Sequence, residues 1–307
     1  MIKEPNIKFI HLFQEFDFNN NIIRDLILET LEENLEKIEF KNNKSMVVGN
    51  TNIGWSTRRE NDLKKIIAQK IFDFRIKSAS HLIWYGNELI PKPHVKYDLY
   101  LYYNEIVPHK TLYFPGAYLV KDFFSNKKYA HDTDRVGISN LVSMNYSQKR
   151  EVSQNNKKLF CCAFINNLTP EREKVLSDLS RLGKVDVYGS AGRGKVQYKY
   201  PIAKDYKFFL CMENEYVDGF ITEKALEAWA CQAIPIWWGR DTHKILNKKA
   251  YVNIDDIKNG NYLNQIYYLN RNDAMYEYML QQNIINLDTG DLYKELKRKA
   301  SKILFQK

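Results

Sequence analysis

The stretch CMENEYVDGFITEKALEAWACQAIPIWWG, Cys211 to Gly239, sets Glu213, Asn214, Glu215, Asp218, Glu223 and Lys224 between an apolar run and a helix-like run. Carboxylates at such a seam can take up protons or accept hydrogen bonds from hydroxyl groups. Lys224 is the odd member. It falls in the first turn of the helix that TEKALEAWACQ predicts, where a cation opposes the helix dipole by roughly 0.3–1 kcal/mol. The free N–H groups of a helix start nevertheless make an anion site, so a lysine there makes sense with a phosphate between. The same arrangement recurs at Arg172, three positions after Thr169. Two such cations, on helices that follow strands of one sheet, could hold both phosphates of a nucleoside diphosphate. The arginine would do so bidentately and the lysine as a point charge. On spacing alone the commoner alternative stays open: surface cations on solvated helix ends, with Glu223 an ordinary first-turn acid rather than an acceptor for ribose hydroxyls. Trp237 and Trp238 read as core rather than as a substrate platform.

These residues need strands and helices to place them. In the first half, NIKFIHLF, SMVVGN, HLIWYGNE and YDLYLYY read as strands, and NNIIRDLILETLEENLEKIEF and DLKKIIAQKIFDF as helices. The first of these helices carries Ile23, Leu26, Ile27, Leu31 and Leu35 on one stripe. SQKREVSQNNKK, Ser147 to Lys158, is polar and aperiodic and reads as a linker. The rhythm then resumes with strand KLFCCAFIN and helix TPEREKVLSDLSRLG, for which Thr169 suits the N-cap, Pro170 the first position and Gly183 the stop. Strand KVDVYG follows, then YKFFLCM, apolar on both faces and hence central. Helix TEKALEAWACQ, strands AIPIWWG and AYVNI, and helices to the end complete the chain. Strands alternating with helices predict parallel, doubly wound sheets in two similar α/β halves. Ligands of such sheets bind at the carboxyl ends of the strands, and between two domains that crevice becomes a cleft.

Composition bounds the rest. A chain of 307 residues holds about two domains of ordinary size, and 44% hydrophobic residues suffice for a core. No apolar run is long enough to span a membrane, and the N-terminus lacks the pattern of a signal peptide, so a cytoplasmic protein is expected. The four cysteines sit in apolar contexts without a Cys-x-x-Cys pair, and the six histidines show no zinc spacing. A net charge of +9 admits nucleic acid, anionic membrane or phosphate-bearing ligands without choosing among them.

YKFFLCMENEYVDGFITEKALEAWACQAIPIWWG resembles, without gaps, the donor-binding signature of the α1,3/4-fucosyltransferases, glycosyltransferase family ten, nearest to its bacterial members. That signature runs Tyr-Lys-Phe-x-Leu-x-Phe-Glu-Asn, a loop, Tyr-[Val/Ile]-Thr-Glu-Lys, a helix and x-Pro-[Ile/Val]-x-x-Gly. The resemblance extends more loosely across most of the chain. It implies the GT-B architecture, two Rossmann-like domains facing a central cleft: residues 1–150 on the acceptor side, and residues 151–307 binding GDP and carrying C-terminal helices. It implies inverting transfer of L-fucose from GDP-fucose to a glycan hydroxyl, such as O3 of GlcNAc in an N-acetyllactosamine-like or lipopolysaccharide-type glycan, with no cofactor or metal required. Nucleic acid is then not a partner. Lys224 and Arg172 are similar to the family's diphosphate clamps, Glu223 falls on its ribose-binding position, and Asn214 on its donor-site asparagine. Tyr188 and Gly189 are further implied donor contacts. Glu88 in IWYGNELIPKPHVKYDLYLYY, ten residues before Asp98, matches the general base, shifted by one place. Phe220 stands where the family has a tyrosine that contacts the donor, and Met212 where it has phenylalanine. These departures leave room for a different GDP-sugar on the same fold and mechanism.

The tail LYKELKRKASKILFQK, Leu292 to Lys307, carries Leu292, Leu296, Ile303 and Leu304 at helical spacing beside a basic face. It reads as a peripheral contact with an anionic membrane or as a docked terminal helix with a solvated face. A protein of another class, a non-catalytic module binding polyanions or membranes through the +9 charge, is the remaining alternative. Its binding would depend steeply on salt.

Overall fold

The computed structural model of the chain describes residues 22–34, 47–49, 82–86, 96–120, 123–124, 146–149 and 159–305. Strand NIKFIHLF, helix DLKKIIAQKIFDF, Glu88 and most of the expected linker lie outside the described residues. The compact units are Met1–Gly116 with Asp291–Lys307, and Ala117–Gly290. The division expected from the sequence is 1–150 against 151–307. Segments before residue 150 bond into the second unit: the Ala117 N–H donates to the Ile221 carbonyl, and the Tyr146 carbonyl accepts from Ile284 and Ile285.

The first unit holds a four-stranded parallel sheet, β1 (Val47–Gly49), β2 (Leu82–Tyr85), β3 (Leu99–Tyr102) and β4 (Thr111–Tyr113), side by side in chain order. Strand β3 is buried throughout. Trp84 of β2 meets the rings of Tyr100 and Tyr102 at 6.1 and 5.2 Å. Helix Ile22–Glu32 buries Ile23, Leu26, Ile27 and Leu31, the stripe its spacing predicts. The last helix, Thr289–Phe305, packs on this unit through buried Leu296 and Ala300. Its Lys297 pairs with Glu29 of the first helix and with Glu33 just after it, and Arg298 and Lys299 pair with Glu295. Among the described residues, no helix is long and apolar enough to cross a membrane.

The second unit holds β5 (Leu159–Phe164), β6 (Val185–Tyr188), β7 (Tyr206–Met212), β8 (Ile234–Trp238) and β9 (Val252–Asn253), all parallel, in the order β6-β5-β7-β8-β9. Central β7 is buried along nearly its whole length, as an all-apolar strand in a parallel sheet must be. From β5 the chain steps outward to β6, then returns to β7 on the other side of β5. The carboxyl ends of β5 and β7 therefore flank the point where connections diverge, the place such sheets reserve for ligands. The α/β class with parallel sheets is the one the alternation of elements predicts.

Helix Pro170–Ser180 starts as its sequence dictates, with Thr169 as N-cap accepting from the Arg172 N–H. Its end is different. Arg181 is the C-cap, and Gly183 is small for another reason: a Cβ there would lie 2.5 Å from the Phe160 ring. Val175 and Leu179 face the sheet core with Phe208, Leu210, Ile234 and Ile236. Helix Asn261–Arg271 lies against the same core through Tyr262, Ile266 and Leu269.

One polar link joins these two helices. Asp178, 1% exposed, accepts from the Tyr262 hydroxyl at 3.0 Å and pairs with Lys174. Burial would raise its pKa, but the hydrogen bonds from Lys174 and Tyr262 and the charges of Lys174 and Arg181 win and hold it below the ordinary carboxylate range. The stabilisation is therefore full above the unfolded-state value of about 3.9 and is lost as pH falls through the lower folded value. Asp178→Asn is expected to cost about 1–3 kcal/mol at pH 7 in urea unfolding. Its deficit relative to the parent should shrink once the pH drops below the folded pKa. A deficit of equal size at both ends of that range would contradict the charge-based account.

Candidate functional site

The site is built from the loops that leave β5 and β7. Arg172 sits in the first turn after β5, yet its side chain turns inward and reaches the end of β7. Its guanidinium donates to the Asn167 carbonyl at 2.6 Å, to the carbonyls of Met212 and Glu213 at 3.4 Å each, and to Asn214 Oδ1 at 3.1 Å. Only 8% of the residue is exposed. Burial lowers the Arg172 pKa, opposed by the charges of Glu213 and Glu171; a guanidinium stays charged at neutral pH regardless. Neutral acceptors thus make every hydrogen bond that holds this cation in place.

Strand β7 ends at Met212, and Glu213 follows with its N–H still donating to the Trp238 carbonyl at 2.9 Å. The Glu213 carboxylate is fully buried. One of its oxygens accepts from the Thr222 N–H at 3.0 Å and the Trp237 indole at 3.2 Å. The other accepts from the Thr222 hydroxyl at 2.6 Å and Lys224 Nζ at 3.2 Å. Lys224, first residue of helix Lys224–Ala230, also donates to the Thr222 hydroxyl at 2.9 Å. Glu223 caps this helix by position, without a side-chain capping bond, and is half-buried. Glu227 of this helix is buried and pairs with Lys199.

The structure therefore brings Arg172, Asn214 and Lys224 together around Glu213, with Glu223 next to Lys224. Phe220, at the far end of the same loop, is 1% exposed. A large aromatic ring without a hydroxyl gains by leaving water, so the side chain belongs to the core in this structure. Glu213, one of several acids at the seam in sequence, and Thr222 have roles that only the structure shows. What marks Glu213 in the sequence is its place directly after an all-apolar strand.

Tyr188 and Gly189 stand at the end of β6. The Tyr188 ring stacks on Phe164 at 5.2 Å, and its hydroxyl lies 3.0 Å from that of Tyr206. The Tyr206 hydroxyl donates to Asp186 at 2.8 Å, and Arg193 pairs with the same carboxylate. Gly189 has φ +92°, and its N–H and carbonyl both bond to Gly194, closing a tight loop. Trp237 is 1% exposed, as the core reading expects; Trp238 is half-buried and stacks on Tyr216 at 5.0 Å. All four cysteines are buried and none is in a disulfide. Burial pushes the Cys211 thiol well up, and the neighbouring Glu213 charge adds to that, which suits an inert packing role. Among the described residues, no group of three or more His, Cys, Asp or Glu could hold a metal ion.

A parallel α/β unit with a cation on each side of its switch point has the charge and the location to take an anionic ligand. Residues 153–283, most of this unit, match the family described as glycosyltransferase family 10 (fucosyltransferase) C-term. An α-(1,3)-fucosyltransferase of Helicobacter pylori is 37% identical over 100 residues, which cover 32% of this chain and 21% of that protein. A bovine 4-galactosyl-N-acetylglucosaminide 3-alpha-L-fucosyltransferase is 25% identical over 151 residues, 41% of this chain and 42% of the relative. The chain thus spans less than half the length of these relatives. A crystal structure of an α1,3-fucosyltransferase superposes with a TM-score of 0.61 at 20% identity, covering 99% of this chain and 92% of that one. Its GDP-fucose complex superposes with a TM-score of 0.59 over the same shares. Residues 153–283 thus resemble the C-terminal domain of glycosyltransferase family 10, and the fold is that of the crystallised α1,3-fucosyltransferase.

At Gly189 an added Cβ would lie 2.4 Å from the Ile165 carbonyl, on a backbone that L side chains rarely adopt. Gly189→Ala is expected to lower stability by about 1–3 kcal/mol, read as an earlier urea midpoint. An unchanged midpoint would show that the loop can move aside.

Proposed function

We propose that the protein transfers L-fucose from GDP-fucose to a hydroxyl of a glycan acceptor, with inversion at the anomeric carbon. The observation that carries this reading is the convergence of Arg172 and Lys224 on Glu213 at the switch point of a unit that resembles the family 10 C-terminal domain. The two cations hold the diphosphate of GDP, Glu223 accepts the ribose hydroxyls, and Tyr188 and Gly189 flank the rest of the nucleotide.

The reaction needs a carboxylate to take the acceptor hydroxyl's proton as its oxygen attacks the anomeric carbon. Glu88 is proposed for that role by its match to the family's base. The new bond joins the acceptor oxygen to the anomeric carbon, while the bond from that carbon to the diphosphate oxygen breaks. GDP leaves with the electron pair, and Arg172 and Lys224 stabilise the charge that gathers on it. An acceptor of the N-acetyllactosamine or lipopolysaccharide type, fucosylated at O3 of GlcNAc, completes the proposal. Contact with an anionic membrane would use the outer face of helix Thr289–Phe305, whose other side is docked.

Arg172→Ala and Lys224→Ala are each expected to weaken GDP binding about 10-fold or more in calorimetry, the scale of a lost charge-assisted hydrogen bond. Glu88→Ala should keep GDP affinity and lose about 100-fold or more in transfer rate. Transfer measured with a panel of GDP-sugars decides the donor. Turnover with another GDP-sugar but none with GDP-fucose would overturn the choice of sugar, and unchanged GDP affinity in both cation variants would overturn the clamp.

A further inference from the structure

Glu213 offers two different atoms to the two cations of the site. Its main-chain carbonyl accepts from Arg172 at 3.4 Å, and its carboxylate accepts from Lys224 at 3.2 Å. No part of the carboxylate is exposed, whereas the Lys224 side chain is 22% exposed. A carboxylate is costly to bury unless it is paired and hydrogen-bonded. Here four donors from three elements close around it: the Thr222 N–H and hydroxyl, the Trp237 indole and Lys224 Nζ. Thr222 is itself shared, since its hydroxyl also accepts from Lys224 at 2.9 Å.

We propose that Glu213 is a positioning residue for the donor diphosphate, a buried anion that fixes the Lys224 ammonium at the head of its helix, facing the site. The assignment rests on the GDP-binding reading above. Lys224 begins its helix, where the dipole disfavours a cation, and a four-carbon stem has many rotamers. A fixed partner beneath it removes both problems before any ligand arrives, leaving less ordering to be done on binding. An opposite effect must be weighed. A bare negative charge below a phosphate site repels the phosphate, so Coulomb repulsion alone would make removal of Glu213 improve binding. The buried carboxylate is surrounded by its own donors, and the ammonium lies beside it; positioning is expected to win.

Glu213→Gln keeps the size of the side chain and removes the anion. Its GDP affinity should fall about 10-fold, while affinity for guanosine stays within twofold of the parent. General damage to the fold would lower both. In a Lys224→Ala background, Glu213→Gln should add no further loss of GDP affinity, because residues acting through one contact are not additive. Should Glu213→Gln fail to fold, Thr222→Val removes only the shared hydroxyl and is expected to weaken GDP about 3-fold or more with guanosine unaffected. The proposal is overturned if the variant that folds binds GDP as tightly as the parent or tighter, if guanosine is weakened to the same extent, or if the losses from Glu213→Gln and Lys224→Ala add in full. Loss of GDP affinity in Lys224→Ala with none in Glu213→Gln would sink the positioning role alone. No loss in either would sink the GDP-clamp reading with it.

Discussion

A carboxylate with no exposure must be surrounded by donors or it would not be tolerated. That constraint at Glu213 organises the second unit. To satisfy it, the chain after β7 must fold back so that Thr222 presents both its N–H and its hydroxyl. Strand β8 must lie close enough for the Trp237 indole to reach. The helix that follows must begin at Lys224 rather than a turn later. The same requirements fix the loop from Asn214 to Phe220 and bring its two ends to one place.

The two cations are held by different means, and the difference has chemical consequences. Arg172 rests on carbonyl and amide oxygens, which orient the guanidinium without cancelling its charge. Lys224 rests on a full negative charge. Arg172 therefore supplies an oriented fork, and Lys224 supplies a fixed donor. A leaving diphosphate gathers charge along its length, so a rigid fork and a point donor placed in advance suit it better than mobile surface lysines would. The cost of that preorganisation is carried by the close-packed interior of β5, β7 and β8.

Much of this was legible in the residues. All-apolar YKFFLCM gave a central strand, Thr169 and Pro170 set a helix start, and the stripe of Ile23, Leu26, Ile27 and Leu31 buried as spaced. Arg172 and Lys224 stood out because a cation in a helix's first turn opposes the dipole, Asn214 stood out through the family resemblance, and the structure does bring the three together. Other features carried no local signal. Strand β4 is three residues long and follows a polar loop in which His109 adopts φ 62°; its strand character comes from pairing with β3. Gly183 resembles a helix stop but is small because Phe160 packs on it. The last helix docks on the first unit through ion pairs with residues more than 260 positions away, such as Lys297 with Glu33, which no periodicity reveals. Glu213 reads in sequence as one acid among several, and only the fold distinguishes the buried one from exposed Glu215 and Asp218.

The claim on which the account depends is the location of the diphosphate. A crystal structure determined with GDP bound tests it most directly. The account expects phosphate oxygens within hydrogen-bonding distance of the Arg172 guanidinium and of Lys224 Nζ, at the carboxyl ends of β5 and β7, with the Glu213 carboxylate still beneath the lysine. Phosphates bound elsewhere, with neither side chain touching them, would contradict it.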